Sequence, residues 1–166
     1  GTNAARVSVV TFSSDVIVNF YLDTYDDAED MYDAIDDITY LNRGTATSLG
    51  IETVAEQVFQ ESRGMRPLSS GVSRVLLVVT DGQANSGYEP ADAAQNIRDT
   101  LNVNVFAIGV GPGINTVELE SMASQPISTH VYTLKSFAFI SKLVGEMSSV
   151  TCAEPAVVTP GQSASH

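Results

Sequence analysis

Two short stretches carry the residues best suited to chemistry. The first, "RVLLVVTDGQAN" (74–85), is an apolar run that stops on the carboxylate of Asp81. The second, "RGTATSLG" (43–50), offers the hydroxyls of Thr45 and Thr47 in a loop opened by Gly44. A carboxylate at a strand end and hydroxyls before a helix are hard oxygen donors, the kind Mg²⁺ takes in a shell completed by water. A Thr in that position also serves routinely as a helix-entry cap, and the residues alone leave both roles open.

Other chemistries fit worse. Nucleophilic hydrolysis wants a Ser or Cys beside a His base. No G-x-S-x-G occurs, and the two histidines are His130, in an expected strand, and His166, at the chain end. Nucleotide binding wants a glycine-rich turn that opens a helix. "GVGPGI" (109–114) lacks the third glycine of the dinucleotide fingerprint, and Pro112 removes a backbone donor where a phosphate needs one. The expectation is a protein that is not an enzyme.

The elements around these stretches are legible. "RVSVVTF" (6–12) and "VIVNFYL" (16–22) predict a hairpin of antiparallel strands. A helix follows over about 27–38, with Ala28, Met31, Ile35 and Ile38 on one face and acids on the other. A second helix is marked by Ile51, Val54, Ala55, Val58 and Phe59, an i, i+3, i+4, i+7, i+8 stripe. Residues 62–73 read as a loop, and 74–80 as a strand buried on both faces. A helix opens at Pro90, a strand covers 103–110, and a helix starts at Asn115 with Glu118 placed as in a capping box. A strand at 130–134 leads to a helix from Ser136, with Phe137, Ile140, Leu143, Val144 and Met147 facing inward. Strands alternating with helices predict a doubly wound, mostly parallel α/β sheet with one antiparallel edge hairpin. In such sheets ligands bind beyond the C-terminal ends of the strands, where Asp81 sits.

Composition narrows the partners. The chain has 166 residues with 20 acidic against 8 basic, a net charge of −12, which argues against nucleic acid. Eight acids fall in "DTYDDAEDMYDAIDD" (23–37). They read as a solvated helix face, because no calcium-loop spacing occurs there. No apolar run approaches the roughly 18 residues of a membrane span, and "GTNAARVSVV" lacks the pattern of a signal peptide. Cys152 is the single cysteine; in a secreted protein it would call for a partner outside the chain. Residues 1–152 read as one domain, and 153–166, rich in Pro, Gly and Ser, as a flexible linker or tail.

Taken together, "RVSVVTFSSDV", "YLNRGTATSLGI", "RPLSSGVSRVLLVVTDGQAN", "VFAIGVG" and "LESMAS" resemble a von Willebrand factor type A domain over residues 1 to about 152. The resemblance implies a metal-ion-dependent adhesion site, in which Thr45 matches the Thr of a G-T-x-T loop and Asp81 the Asp of a strand-ending T-D-G. It implies Mg²⁺ or Mn²⁺ as the cation, held partly through water, with an open position for a carboxylate of a protein partner. Arg43, Gln83, Asn85 and Tyr88 are candidate partner contacts by their closeness to the motif loops. The resemblance also implies that Cys152 pairs with a Cys ahead of the first strand, outside this chain. It suggests a secreted matrix or adhesion module of the matrilin and microfibrillar-collagen branch, with a collagenous protein as a candidate ligand.

One family segment does not occur. D-x-S-x-S, which ends the family's first central strand, is absent, and with it that strand and its helix. In the family's order the strand lies between those at 6–12 and 74–80, so two unpaired ladder edges are expected there. Three sources for it remain open: a piece separated by cleavage, a strand donated by another chain, or a truncation with rearrangement. The cation site is then expected only when D-x-S-x-S is supplied. The alternative expectation is a metal-independent spacer module with a vestigial site.

Overall fold

A computed structural model of the chain describes residues 5–41 and 43–136. The expected helix from Ser136 with its inward residues, Cys152 and the tail lie outside the described residues.

β1 (Val9–Phe12) and β2 (Val16–Phe20) form the expected antiparallel hairpin, with Val10 opposite Val18, Phe12 opposite Val16 and a register shift between Val9 and Val10. Its turn closes through Ser13 N–H donating to Asp15 O at 2.8 Å. α1 (Ala28–Asp36) starts on Asp27, whose carboxylate accepts from the Glu29 amide. The expected apolar face is shallow: Met31 and Ile38 are half-buried, Ala28 and Ile35 are exposed, and no residue of α1 is buried. With acids through its sequence, this short helix lies on the surface.

α2 (Thr47–Thr53) continues through a wider π-type turn (Val54–Val58), and the predicted stripe buries Ile51, Val54, Val58 and Phe59. The predicted loop contains two short 3₁₀ turns, Glu61–Arg63 and Leu68–Ser70. Then β3 (Arg74–Thr80), α3 (Pro90–Leu101), β4 (Val103–Val110), α4 (Thr116–Met122), a one-turn α5 (Ile127–His130) and β5 (Val131–Leu134) follow in order. Pro90 opens α3 as its spacing suggested. His130 ends α5 rather than lying in a strand: its ring stacks on Phe106 at 4.5 Å and its Nδ1 lies 2.9 Å from Pro126 O.

β3, β4 and β5 make a parallel sheet in that order, with β3 and β4 paired from Arg74/Val103 to Thr80/Gly109. The side-chain period of two sorts β4 onto two faces. Val103, Val105 and Ala107 join Ile51, Val54, Ala94, Ile97, Leu119 and Met122 in the main core. Ile108 and Val110 meet Val79, Tyr132 and Leu134 on the other side. Gly109 has no space for a side chain, since a Cβ there would stand 2.6 Å from Leu119 and 2.9 Å from Ile114. That close approach lets α4 sit directly on the sheet.

The described strands fall into two sheets, β1–β2 and β3–β4–β5, with no ladder between them. The expectation that β3 is buried on both faces therefore fails. Leu77 is 50% exposed, and Val75, Leu76 and Val79 are half-buried; among the described residues β4 is the one ladder partner of β3.

Candidate cation and partner site at the strand ends

β3 delivers Asp81 through a tight turn. The Thr80 hydroxyl donates to Gly82 O at 2.9 Å and lies 3.3 Å from the Gly82 nitrogen, whose N–H it accepts. That brace leaves the Asp81 side chain exposed, with no hydrogen bond from a described residue. From below, Gly113 packs on the same turn: a Cβ there would be 2.9 Å from Asp81 O.

The loop before α2 is tied down residue by residue. Gly44 N–H donates to Ser14 Oγ at 3.0 Å, and Ala46 N–H to Ser13 O at 2.7 Å. Between them, Thr45 N–H donates to Asn85 Oδ1 at 2.9 Å while Asn85 N–H donates to Thr45 O at 3.0 Å. The helix N-cap is Ala46, without a side-chain cap. The Thr45 hydroxyl is therefore not used in capping. It stands 3.7 Å from the point a Cβ on Gly82 would occupy, beside the Asp81 turn.

Thr47 and Ser48 differ from Thr45 in burial. Both are buried, at 1% and 0% exposure, and their hydroxyls have no hydrogen-bond partner among the described residues. Ser48 fills the space under Gly87, where a Cβ would be 2.4 Å from its Oγ and where φ is +87°. The loop after β3 accepts only glycine at that point.

The four partner-contact candidates differ in their engagement. Gln83 is exposed. Arg43 is exposed but paired with Asp15 at 2.9 Å. Asn85 is exposed and holds Thr45. Tyr88 is 44% exposed; partial burial, then Glu52, Asp92 and Glu56, push its hydroxyl above the usual tyrosine pKa.

The residue that the spacing argument misassigned is Glu118. Asn115 caps α4 as expected, accepting from Val117 and Glu118 N–H. Glu118 does not complete the capping box. Its carboxylate turns to Ala84 and accepts that amide at 3.0 and 3.2 Å. The signal is present in the sequence, an acid in the first turn of the helix after β4, but the capping-box spacing points it to the wrong backbone.

Thr45 and Asp81 suit a hard cation in donor type, and the fit stops at two donors. Among the described residues no group of three or more His, Cys, Asp or Glu side chains gathers at metal-binding distance. The remaining oxygens of a six-fold shell would come from water, a partner, or residues beyond those described. A cleft of about 360 Å³ lies elsewhere, between α1 and the hairpin, lined in part by Thr11, Asn19, Tyr25 and Asp37.

The chain is thus a doubly wound α/β domain that presents its candidate oxygen donors at the strand ends. The family profile of the von Willebrand factor type A domain matches residues 1–146, and the chain belongs to that family. It is 35% identical to matrilin-3 of Gallus gallus over 153 residues, covering 92% of this chain and 33% of that protein. It is 32% identical to matrilin-4 of Homo sapiens over 166 residues, 100% of this chain and 26% of that protein. The chain thus spans a third or less of the length of these relatives. Among solved structures, proximal thread matrix protein 1 from the mussel byssus, with a zinc-occupied MIDAS motif, superposes with a TM-score of 0.83 at 30% identity. That match covers 92% of this chain and 37% of the mussel protein. With these relatives, the chain is a secreted extracellular-matrix module. No described helix is long and apolar enough to cross a membrane.

Proposed function

We propose that this module binds a matrix protein, with a collagenous one as a candidate, through a divalent cation seated at Thr45 and Asp81. One observation carries the reading. The Thr45 hydroxyl and the Asp81 carboxylate, neither hydrogen-bonded to a described residue, lie on two loops that Asn85 ties together, with the hydroxyl beside the Gly82 turn that follows Asp81. The zinc-occupied motif of the mussel relative supports a divalent cation here; Mg²⁺ or Mn²⁺ suits the oxygen donors equally well. The site needs further oxygens, and the proposal assigns them to a D-x-S-x-S segment supplied from outside these 166 residues. The cation would then take a Glu or Asp of the partner in its open position, which makes binding sensitive to chelation. Partner binding by the domain in its parent protein should collapse in EDTA and in Asp81→Ala. Unchanged binding in either condition sinks the proposal.

The second reading is a stiff, metal-independent spacer with an incomplete site. The two-donor count favours it. Reading the parent sequence ahead of residue 1 separates the two, since an intact D-x-S-x-S there supports the first. The proposed Cys152 disulfide is tested by intact mass before and after reduction, and a single mass of 17.6 kDa in both would remove it.

A further inference from the structure

Glu118 lies on α4, thirty-seven residues beyond Asp81 in sequence, yet its carboxylate grips the loop that follows Asp81. The helix does not need it there, because Asn115 already accepts the Val117 and Glu118 amides. Its base is fixed: Leu119, the next residue, is 1% exposed and packs where Gly109 leaves room. The Ala84 amide it accepts belongs to a loop without a ladder of its own, and the following residue, Asn85, makes both bonds to Thr45. The same α4 lead-in also supports Asp81, through Gly113 against its carbonyl.

We infer that Glu118 is a positioning residue for the strand-end site, fixing the Thr45 hydroxyl relative to the Asp81 carboxylate through Ala84 and Asn85. The inference rests on the cation reading for its purpose, but not for its geometry. A bond from a carboxylate to an amide is roughly twice as strong as a neutral one, so this anchor outweighs an ordinary loop contact. Its loss frees Ala84 first. Asn85 then loses the neighbour that holds its backbone, and Thr45 loses its two bonds to Asn85. The carboxylate itself touches neither candidate donor.

Amide hydrogen exchange, read residue by residue by NMR on this chain, tests the relay without any cation. In Glu118→Ala, exchange at both Ala84 and Thr45 should rise about tenfold or more, the scale of one charge-assisted hydrogen bond. Glu118→Gln keeps a neutral acceptor of the same shape, guards against a variant that fails to fold, and should fall between the two. Asn85→Ala should expose Thr45 while leaving Ala84 protected. Faster exchange at Ala84 with no change at Thr45 would reduce Glu118 to a local cap and overturn the inference. Mn²⁺ binding by the domain in its parent protein separates the two ideas. Wild-type binding that Glu118→Ala leaves unchanged overturns the inference alone. Absence of wild-type binding overturns the cation reading, and with it the purpose assigned to Glu118.

Discussion

β3 and β4 are neighbours with nearly the same character, "RVLLVVT" beside "VNVFAIGV", paired in register along the whole of β3. Their surroundings differ sharply. Every residue of β4 except Asn104 is buried, and Phe106 is at 0% exposure. Its register partner Leu77 is 50% exposed. A β4 side chain is enclosed because the strand has β3 on one edge, β5 on the other, and helices against it. β3 has β4 alone. Apolar composition announces a strand meant for an interior; it does not announce how many neighbours that strand has.

The widest way to break this comparison is to truncate its buried member. Phe106→Ala removes a ring stacked on His130 and leaves a cavity in a well-packed sheet, so a loss of about 3–5 kcal/mol is expected in denaturant unfolding. A loss below about 1 kcal/mol would mean that the centre of β4 can collapse around the gap, and the contrast with β3 would vanish.

The exit of β3 is held far more tightly than its flank, and a single methyl group tests that. Gly87→Ala places a Cβ at positive φ and 2.4 Å from Ser48 Oγ. About 1–3 kcal/mol should be lost. Ser48→Ala in the same chain should return the steric part and leave the backbone part, giving a non-additive cycle. An additive cycle would show that the two residues do not meet.

Much of this architecture was legible beforehand, for identifiable reasons. β4 is legible to the residue, since Asn102 at positive φ and Gly111 at φ +86° bracket a run that is apolar but for Asn104. α2 and α3 carried stripes and a Pro start that survive into the packing. The burial expected for β3 differs from what is found, because periodicity reports the strand and not what covers it. α5 escaped notice because a single turn is too short for any period. At the site, residue types pointed to Thr45 and Asp81. The tie between their loops runs through Asn85, forty residues from Thr45, and a pairing at that distance leaves no local pattern. Glu118 was seen and assigned to the nearest amide, when the fold brings a better one.

Leu77 is the sharper half of the strand comparison. As a half-exposed side chain on a strand with one ladder partner among the described residues, Leu77→Ala should cost under about 1 kcal/mol, several-fold less than its partner Phe106. A cost of several kcal/mol would mean that something covers that face of β3 in solution. The same substitution measured in the parent protein then asks whether a strand lies there, since an added neighbour would raise the cost in the parent but not in this chain.

The smallest effect belongs to Tyr88, beyond the same β3 exit. Its hydroxyl is raised above the ordinary 10.0, first by partial burial and then by Glu52, Asp92 and Glu56. A raised folded-state value means that the unfolded chain gives up the proton first. The stabilisation is therefore complete below pH 10 and is lost as pH climbs through the folded value. Because Tyr88 is 44% exposed, solvent screens the three carboxylates, and the change in stability should be slight. Ultraviolet absorbance titration resolves what unfolding cannot: Tyr88→Phe should delete a late-titrating tyrosine. Salt divides the causes, since it weakens the carboxylate contribution and leaves the burial contribution in place. A late component that salt abolishes altogether would show that the ring is solvated and that burial at the β3 exit ends before residue 88.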